Sequence, residues 1–147
     1  SLDRVHEMIT HPKALCSLGD GGAHVGTICD ASVSTTMLAH WGLQRTRGPK
    51  IPLPEVVQIL TQRNALHMGL TDRGVIAVGK KADINIIDFD RLALPMPEIV
   101  RDLPKGGRRM IQKSMGYVAT LVSGEAVIEN GNITSARPGR WTHGPKQ

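Results

Sequence analysis

Aromatic side chains are nearly missing from this sequence: two Trp, one Tyr and one Phe stand among 147 residues. Any core must therefore come from Val, Ile, Leu, Ala and Met. Cysteine is equally scarce, with only Cys16 and Cys29. Their spacing matches no CxxC knuckle, and two thiols build neither a metal site alone nor a disulfide framework. They read as buried free thiols. Long hydrophobic runs are absent too, and none approaches the ~20 apolar residues of a membrane-crossing helix. No membrane partner is expected. Charges are spread through Ser1 to Thr10, which is no signal-peptide pattern, so the expected location is cytoplasmic.

What is present is a turn-rich chain of ordinary polarity. Gly (16) and Pro (9) punctuate it without reaching low-complexity levels. The formal net charge is +5, and the excess is local. Between positions 101 and 113 stand Arg101, Lys105, Arg108, Arg109 and Lys113 against Asp102 alone, and the tail adds Arg137, Arg140 and Lys146. Single-strand binders interleave such cations with stacking aromatics. The 101–113 stretch has none and the tail only Trp141, which argues against nucleic acid as a partner. A solvated or substrate-facing basic edge is the expectation.

Hydrophobic spacing divides the chain unevenly. Leu2, Val5, Met8 and Ile9 lie at helical offsets, and Pro12 ends that helix. Ala14 to Leu18 has the length and apolarity of a buried strand, followed by the Gly19-Asp20-Gly21-Gly22 turn. Asp30 is placed to cap a helix over about Ser32 to Leu43. Leu53-Pro54-Glu55 opens another, with Pro in its first turn, and a short one runs from Gln62 to Met68 and closes at Gly69. From Gly74 the period shortens. Ala82 to Asp88 reads as a strand, Leu94 to Leu103 as a Pro-rich irregular stretch, and Tyr117 to Val122 as a second strand. Gly124 turns the chain back through Ala126-Val127-Ile128, and Asn130-Gly131 is a strong hairpin signal. Arg137 to Gln147 reads as an extended tail. A single parallel strand cannot satisfy its own backbone, so the first half reads as part of a larger α/β unit.

Asp20 is the leading candidate for chemistry. An acid at the C-terminal end of a buried α/β strand sits where such folds place reactive groups, and Gly21 and Gly22 would let backbone approach a ligand. Asp before Gly is also a plain turn signal, so both readings stand. His24, in the same loop, either lines a substrate cleft or stabilises the loop. His40-Trp41 reads as packing at a helix end. Asp83 reads as a pin for its turn, and Arg108 and Arg109 as surface ion-pair formers or carboxylate ligands.

The run Leu18-Gly19-Asp20-Gly21-Gly22-Ala23-His24-Val25-Gly26, with Asp30 and His40-Trp41 behind it, resembles the D-aminoacylase (N-acyl-D-amino-acid deacylase) branch of the amidohydrolase superfamily. So do Asp72-Arg73-Gly74-Val75-Ile76 through Gly79-Lys80-Lys81-Ala82-Asp83, then Asp102-Leu103-Pro104, Gly107-Arg108-Arg109, Gly116-Tyr117, Val122-Ser123-Gly124-Glu125 and Pro138-Gly139-Arg140. The resemblance implies the α/β fold of a metal-dependent (β/α)8 TIM barrel followed by part of a small β-sandwich, incomplete as a single chain. Residues 1–73 would be the end of the barrel, with its last strand at about 14–18. Residues 74–136 would be the sandwich portion, and 137–147 an extended basic tail. Asp20 would be the catalytic acid, passing a proton from metal-activated water to the leaving nitrogen, while His24, Gly21 and Gly22 would touch substrate.

The same resemblance implies zinc in the complete enzyme and a small N-acyl amino acid as substrate. The family's ligands begin with a His-x-His pair, which this sequence lacks; its six His are scattered at positions 6, 11, 24, 40, 67 and 143. The chain is therefore expected to bind no zinc alone and to be inactive alone. Unburied barrel surface, including the apolar faces of the Ser32–Leu43 and Glu55–Leu60 helices, is expected to need a partner or drive self-association. The alternative is a free-standing, non-enzymatic binding or assembly module derived from the same fold.

Overall fold

A computed structural model describes residues 1–16 and 19–142. The first helix, α1, spans Asp3–Thr10 and stops before Pro12, as the spacing of Leu2, Val5, Met8 and Ile9 predicts. It lies on the surface, with Leu2 and Met8 exposed. Ala14 to Cys16 adopt no regular structure. The rest of the expected strand, Ser17 and Leu18, lies outside the described residues. No strand neighbours Ala14–Cys16 among the described residues, so their backbone has no ladder to join. Cys16 and Cys29 are free thiols but only half-buried.

The stretch expected as one regular helix is built in three pieces. A 3-10 turn at Asp30–Ser32 leads into α2, Val33–Thr36, which widens into a π-helix over Met37–Gln44. The wide turn ends with the Arg45 N–H donating to the His40 carbonyl at 2.9 Å. Within it Met37, Leu38, Ala39 and Trp41 are all buried, a broader apolar arc than the single stripe of a surface α-helix.

Against the arc packs α3, Leu53–Leu60, opened by Pro54 in its first turn as expected. Its Val56 and Ile59 are 0% exposed and join Met37, Leu38, Ala39, Trp41, Ile51 and Leu92 in one cluster. The two helical faces expected to await a partner therefore cover each other. A last helix, α4, spans Gln62–His67, and Gly69 just beyond it takes a positive φ of 69°.

Six strands follow: β1 Ile84–Ile87, β2 Glu98–Leu103, β3 Gly107–Ile111, β4 Tyr117–Val122, β5 Glu125–Glu129 and β6 Asn132–Ile133. Antiparallel pairing sets the order β1-β4-β5-β6 in one sheet, with β2-β3 as a separate hairpin. Two-residue turns join β4 to β5 at Ser123-Gly124 (φ 51° and 85°) and β5 to β6 at Asn130-Gly131 (φ 47° and 80°). Positive φ at both central residues matches the strand twist. Ser123 is held in this conformation by its N–H, which donates to Asp83 Oδ1 at 2.9 Å. Asp83 Oδ2 also accepts from Arg73 at 3.2 Å, so Asp83 holds the distant β4–β5 turn, where the sequence reads it as a pin for the turn just before it. The β2 strand corrects the expectation of an irregular stretch up to Leu103: Ile99 pairs with Met110 and Val100 with Arg109 across the hairpin.

The strands dock on the helices through Leu92, Ile87 and Tyr117, which join or pack against the helical cluster. Hydroxyls reinforce the seam. Buried Thr35 Oγ1 lies 2.8 Å from Tyr117 Oη and 3.0 Å from Ser114 Oγ, and Ser32 Oγ donates to Gln112 Oε1 at 2.5 Å. Below the helices, Arg45 is only 3% exposed. Its guanidinium donates to the carbonyls of Arg47 (3.0 Å) and Pro49 (2.9 Å) and to Asp3 Oδ1 (2.6 Å), while stacking 4.7 Å from the Trp41 ring centre.

Candidate functional site

Asp20, Gly21, Gly22 and His24 share the loop that runs from Gly19 to the 3-10 turn at Asp30. Its geometry follows from its glycines. A side chain at Gly19 would stand 2.7 Å from the Asp30 carbonyl oxygen, and one at Gly21 would stand 2.9 Å from Ala31 Cβ. Only residues without Cβ let the loop lie this closely on Asp30 and Ala31. Gly22 then needs a positive φ of 105°, with nothing within 4 Å of its missing Cβ. The missing side chain of Gly21 thus lets the loop lie on Ala31, while the residue itself stays exposed.

Asp20 is held by its backbone. Its N–H donates to Asp30 Oδ2 at 3.0 Å, and its carbonyl accepts from the Ala23 N–H at 3.0 Å. The carboxylate itself is exposed, and it has no hydrogen bond or ion pair among the described residues. His24 takes a positive φ of 45°. Its carbonyl accepts from the N–H groups of Thr27 (2.8 Å) and Ile28 (3.1 Å) and from Thr27 Oγ1 (3.1 Å). So His24 stabilises the loop through its main chain, and its imidazole is exposed. The loop is fastened at its far side as well, because the Met110 N–H of β3 donates to the Val25 carbonyl at 2.7 Å.

Asp30 corrects one expectation. It does not cap the following helix with its side chain; its carboxylate reaches back ten residues to Asp20. An acid ahead of a helix signals a cap in sequence terms, and no local pattern reveals the longer reach. Of the two arginines, Arg109 is taken by Asp102 through two bonds, Nε to Oδ1 at 2.7 Å and Nη2 to Oδ2 at 2.6 Å. This pairing holds the Asp102 carboxyl below its ordinary range, chiefly through the Arg109 hydrogen bonds. Arg108 is exposed.

Metal does not fit what is described. Among the described residues no three His, Cys, Asp or Glu side chains gather closely enough to hold an ion. A hollow of about 650 Å³ lies between α3 and Val75-Ile76, and none of the loop residues stands in its walls. Among the described residues no helix is long and apolar enough to cross a membrane.

An exposed acid on a glycine-held loop, ahead of a helical layer and an antiparallel sheet, defines a mixed α/β chain. The model of the amidohydrolase family matches residues 1–128. The chain belongs to the amidohydrolase family. No curated protein and no solved structure matches it.

Proposed function

We propose that this chain is the C-terminal part of a metal-dependent amidohydrolase of the N-acyl-D-amino-acid deacylase kind, acting on a small N-acyl amino acid. In this reading residues 1–73 end the barrel, 74–136 form the sandwich portion and 137–147 the tail. The observation that carries it is the Asp20 loop: both backbone groups of the acid are tied down while its carboxylate faces solvent unpaired among the described residues. A carboxylate so held can take a proton from the attacking water and return it to the nitrogen as the carbon–nitrogen bond breaks. In this reading His24, Gly21 and Gly22 of the same loop would touch substrate. Zinc is the expected metal of the complete enzyme. The described residues offer it no donor set, and this reading assigns its ligands to other residues of that enzyme.

The test supplies the purified chain with an amidohydrolase segment bearing the His-x-His pair, and follows release of free amino acid from an N-acetyl-D-amino acid. The chain alone, with zinc added, is expected to be silent, and the combination active. Asp20→Asn should lower the turnover of the combination by about 10²- to 10⁴-fold, the usual worth of a general acid–base. Turnover unchanged by Asp20→Asn would contradict the assignment.

A second reading, a free-standing binding or assembly module, draws on the closed helical core, where Val56 and Ile59 are 0% exposed. Self-association through what stays uncovered, such as Leu2 and Met8 of α1, would appear as a concentration-dependent mass.

A further inference from the structure

We propose that Asp30 is a positioning residue for Asp20, fixing the direction of the acid through its backbone. The proposal rests on the reading of Asp20 as the proton-transferring acid. Three contacts converge on one platform. Asp30 Oδ2 accepts the Asp20 N–H at 3.0 Å. Gly19 lies against the Asp30 carbonyl and Gly21 against Ala31, each too close to admit a Cβ without a shift. The residue before the acid, the acid itself and the residue after it thus all rest on Asp30-Ala31.

The platform is itself anchored. Asp30 begins the 3-10 turn that ends at buried Ser32 and runs on to buried Thr35. Those side chains bond Gln112, Ser114 and Tyr117 across the seam with the strands. A chain of contacts therefore runs from β4 through the helix start to the acid. Asp30 bonds the backbone of Asp20 and leaves its carboxylate uncommitted among the described residues. A side chain that bonded the carboxylate would compete with proton transfer; this one does not.

The test reads geometry without turnover, so it separates failure of this proposal from failure of the assignment of Asp20. In the ¹⁵N-labelled chain, the Asp20 amide proton should move downfield on going from protonated to ionised Asp30, because an ionised acceptor makes the stronger hydrogen bond. The movement should persist in Asp20→Asn, whose own side chain no longer titrates. It should vanish in Asp30→Asn, which keeps an acceptor but loses the titration. In Asp30→Ala, hydrogen exchange at the Asp20 amide should quicken about tenfold or more, as expected for loss of a charge-assisted bond. Exchange at the core amides of Val56 and Ile59 should stay unchanged. The proposal is overturned by a titration that survives Asp30→Asn. It is equally overturned if Asp30→Ala speeds exchange at Val56 and Ile59 by the same factor as at Asp20, since that is the mark of a merely structural role.

Discussion

Ile59→Ala lowers the unfolding free energy by about 2–5 kcal/mol, the range for truncating a fully buried aliphatic side chain. Ile59 is 0% exposed and sits where α3 meets the π-helix, in the cluster with Met37, Leu38 and Trp41. Two features put the cost at the upper end. The cluster is small and includes the rigid Trp41 ring, so few neighbours can relax into the space. Ile59 also belongs to the seam that closes the helical layer, so a cavity there loosens α3 as a whole. Domains of this size have total stabilities of about 5–15 kcal/mol, and such a loss takes a large share. The measurement is a urea titration of wild type and variant. Val57→Ala, two residues away on the exposed side of α3 at 43% exposure, should move the midpoint little. Equal shifts for the two variants would show that the helical face is not packed as described.

Arg45→Ala has the second largest effect, about 2–4 kcal/mol, and its origin is different. The guanidinium satisfies the carbonyls of Arg47 and Pro49, pairs with Asp3 and covers the Trp41 ring. Its removal leaves acceptors without their donor at about 1–3 kcal/mol each and takes a cation from an aromatic face. Arg45→Lys should recover only part of the loss, since an ammonium cannot reproduce the planar fork that reaches two carbonyls and a carboxylate together. The pair also carries a pH dependence. The Ser1 hydroxyl, and after it the Arg45 charge, hold the Asp3 carboxyl below its ordinary range. Asp72 and Asp102 are lowered likewise, chiefly by hydrogen bonds from Arg73 and Arg109. A carboxyl depressed in the folded state adds stability that is present above its unfolded value and lost as pH falls through the folded one. All three are solvent-facing, so salt should flatten this acid limb. Removing Asp3 with Asp3→Asn should flatten part of it. An acid limb unchanged by salt and by Asp3→Asn would place its cause elsewhere.

Where signals in the sequence are local, they translate directly. Asn130-Gly131 turns where its positive φ values are needed, Pro54 opens α3, and Pro12 follows the end of α1. Where structure depends on partners distant in the chain, local signals mislead. The β2 strand hides behind Pro95 and Pro97, and its turn needs a positive φ at Lys105 as well as Gly106, which no turn pattern around Lys105 announces. Met37 to Trp41 reads as part of one regular α-helix in the sequence, and the π turn it forms has no local signal there. The apolar faces of these two helices were each legible, but their mutual coverage was not. The candidate loop shows the same division. Gly-Asp-Gly announces a tight turn with an acid at its centre, while the tie from Asp30 spans ten residues and resembles an ordinary helix cap in the sequence.

The acid-bearing loop of this amidohydrolase chain rests on a closed helical core, and among the described residues no side chains gather into a metal site. Differential scanning calorimetry of the 147-residue chain, with and without zinc, tests this most directly. A ligand that binds the folded state raises its unfolding temperature. The predicted result is one cooperative transition whose midpoint zinc does not move. A midpoint that rises with zinc concentration would contradict the account, because it would require a metal site in the folded chain.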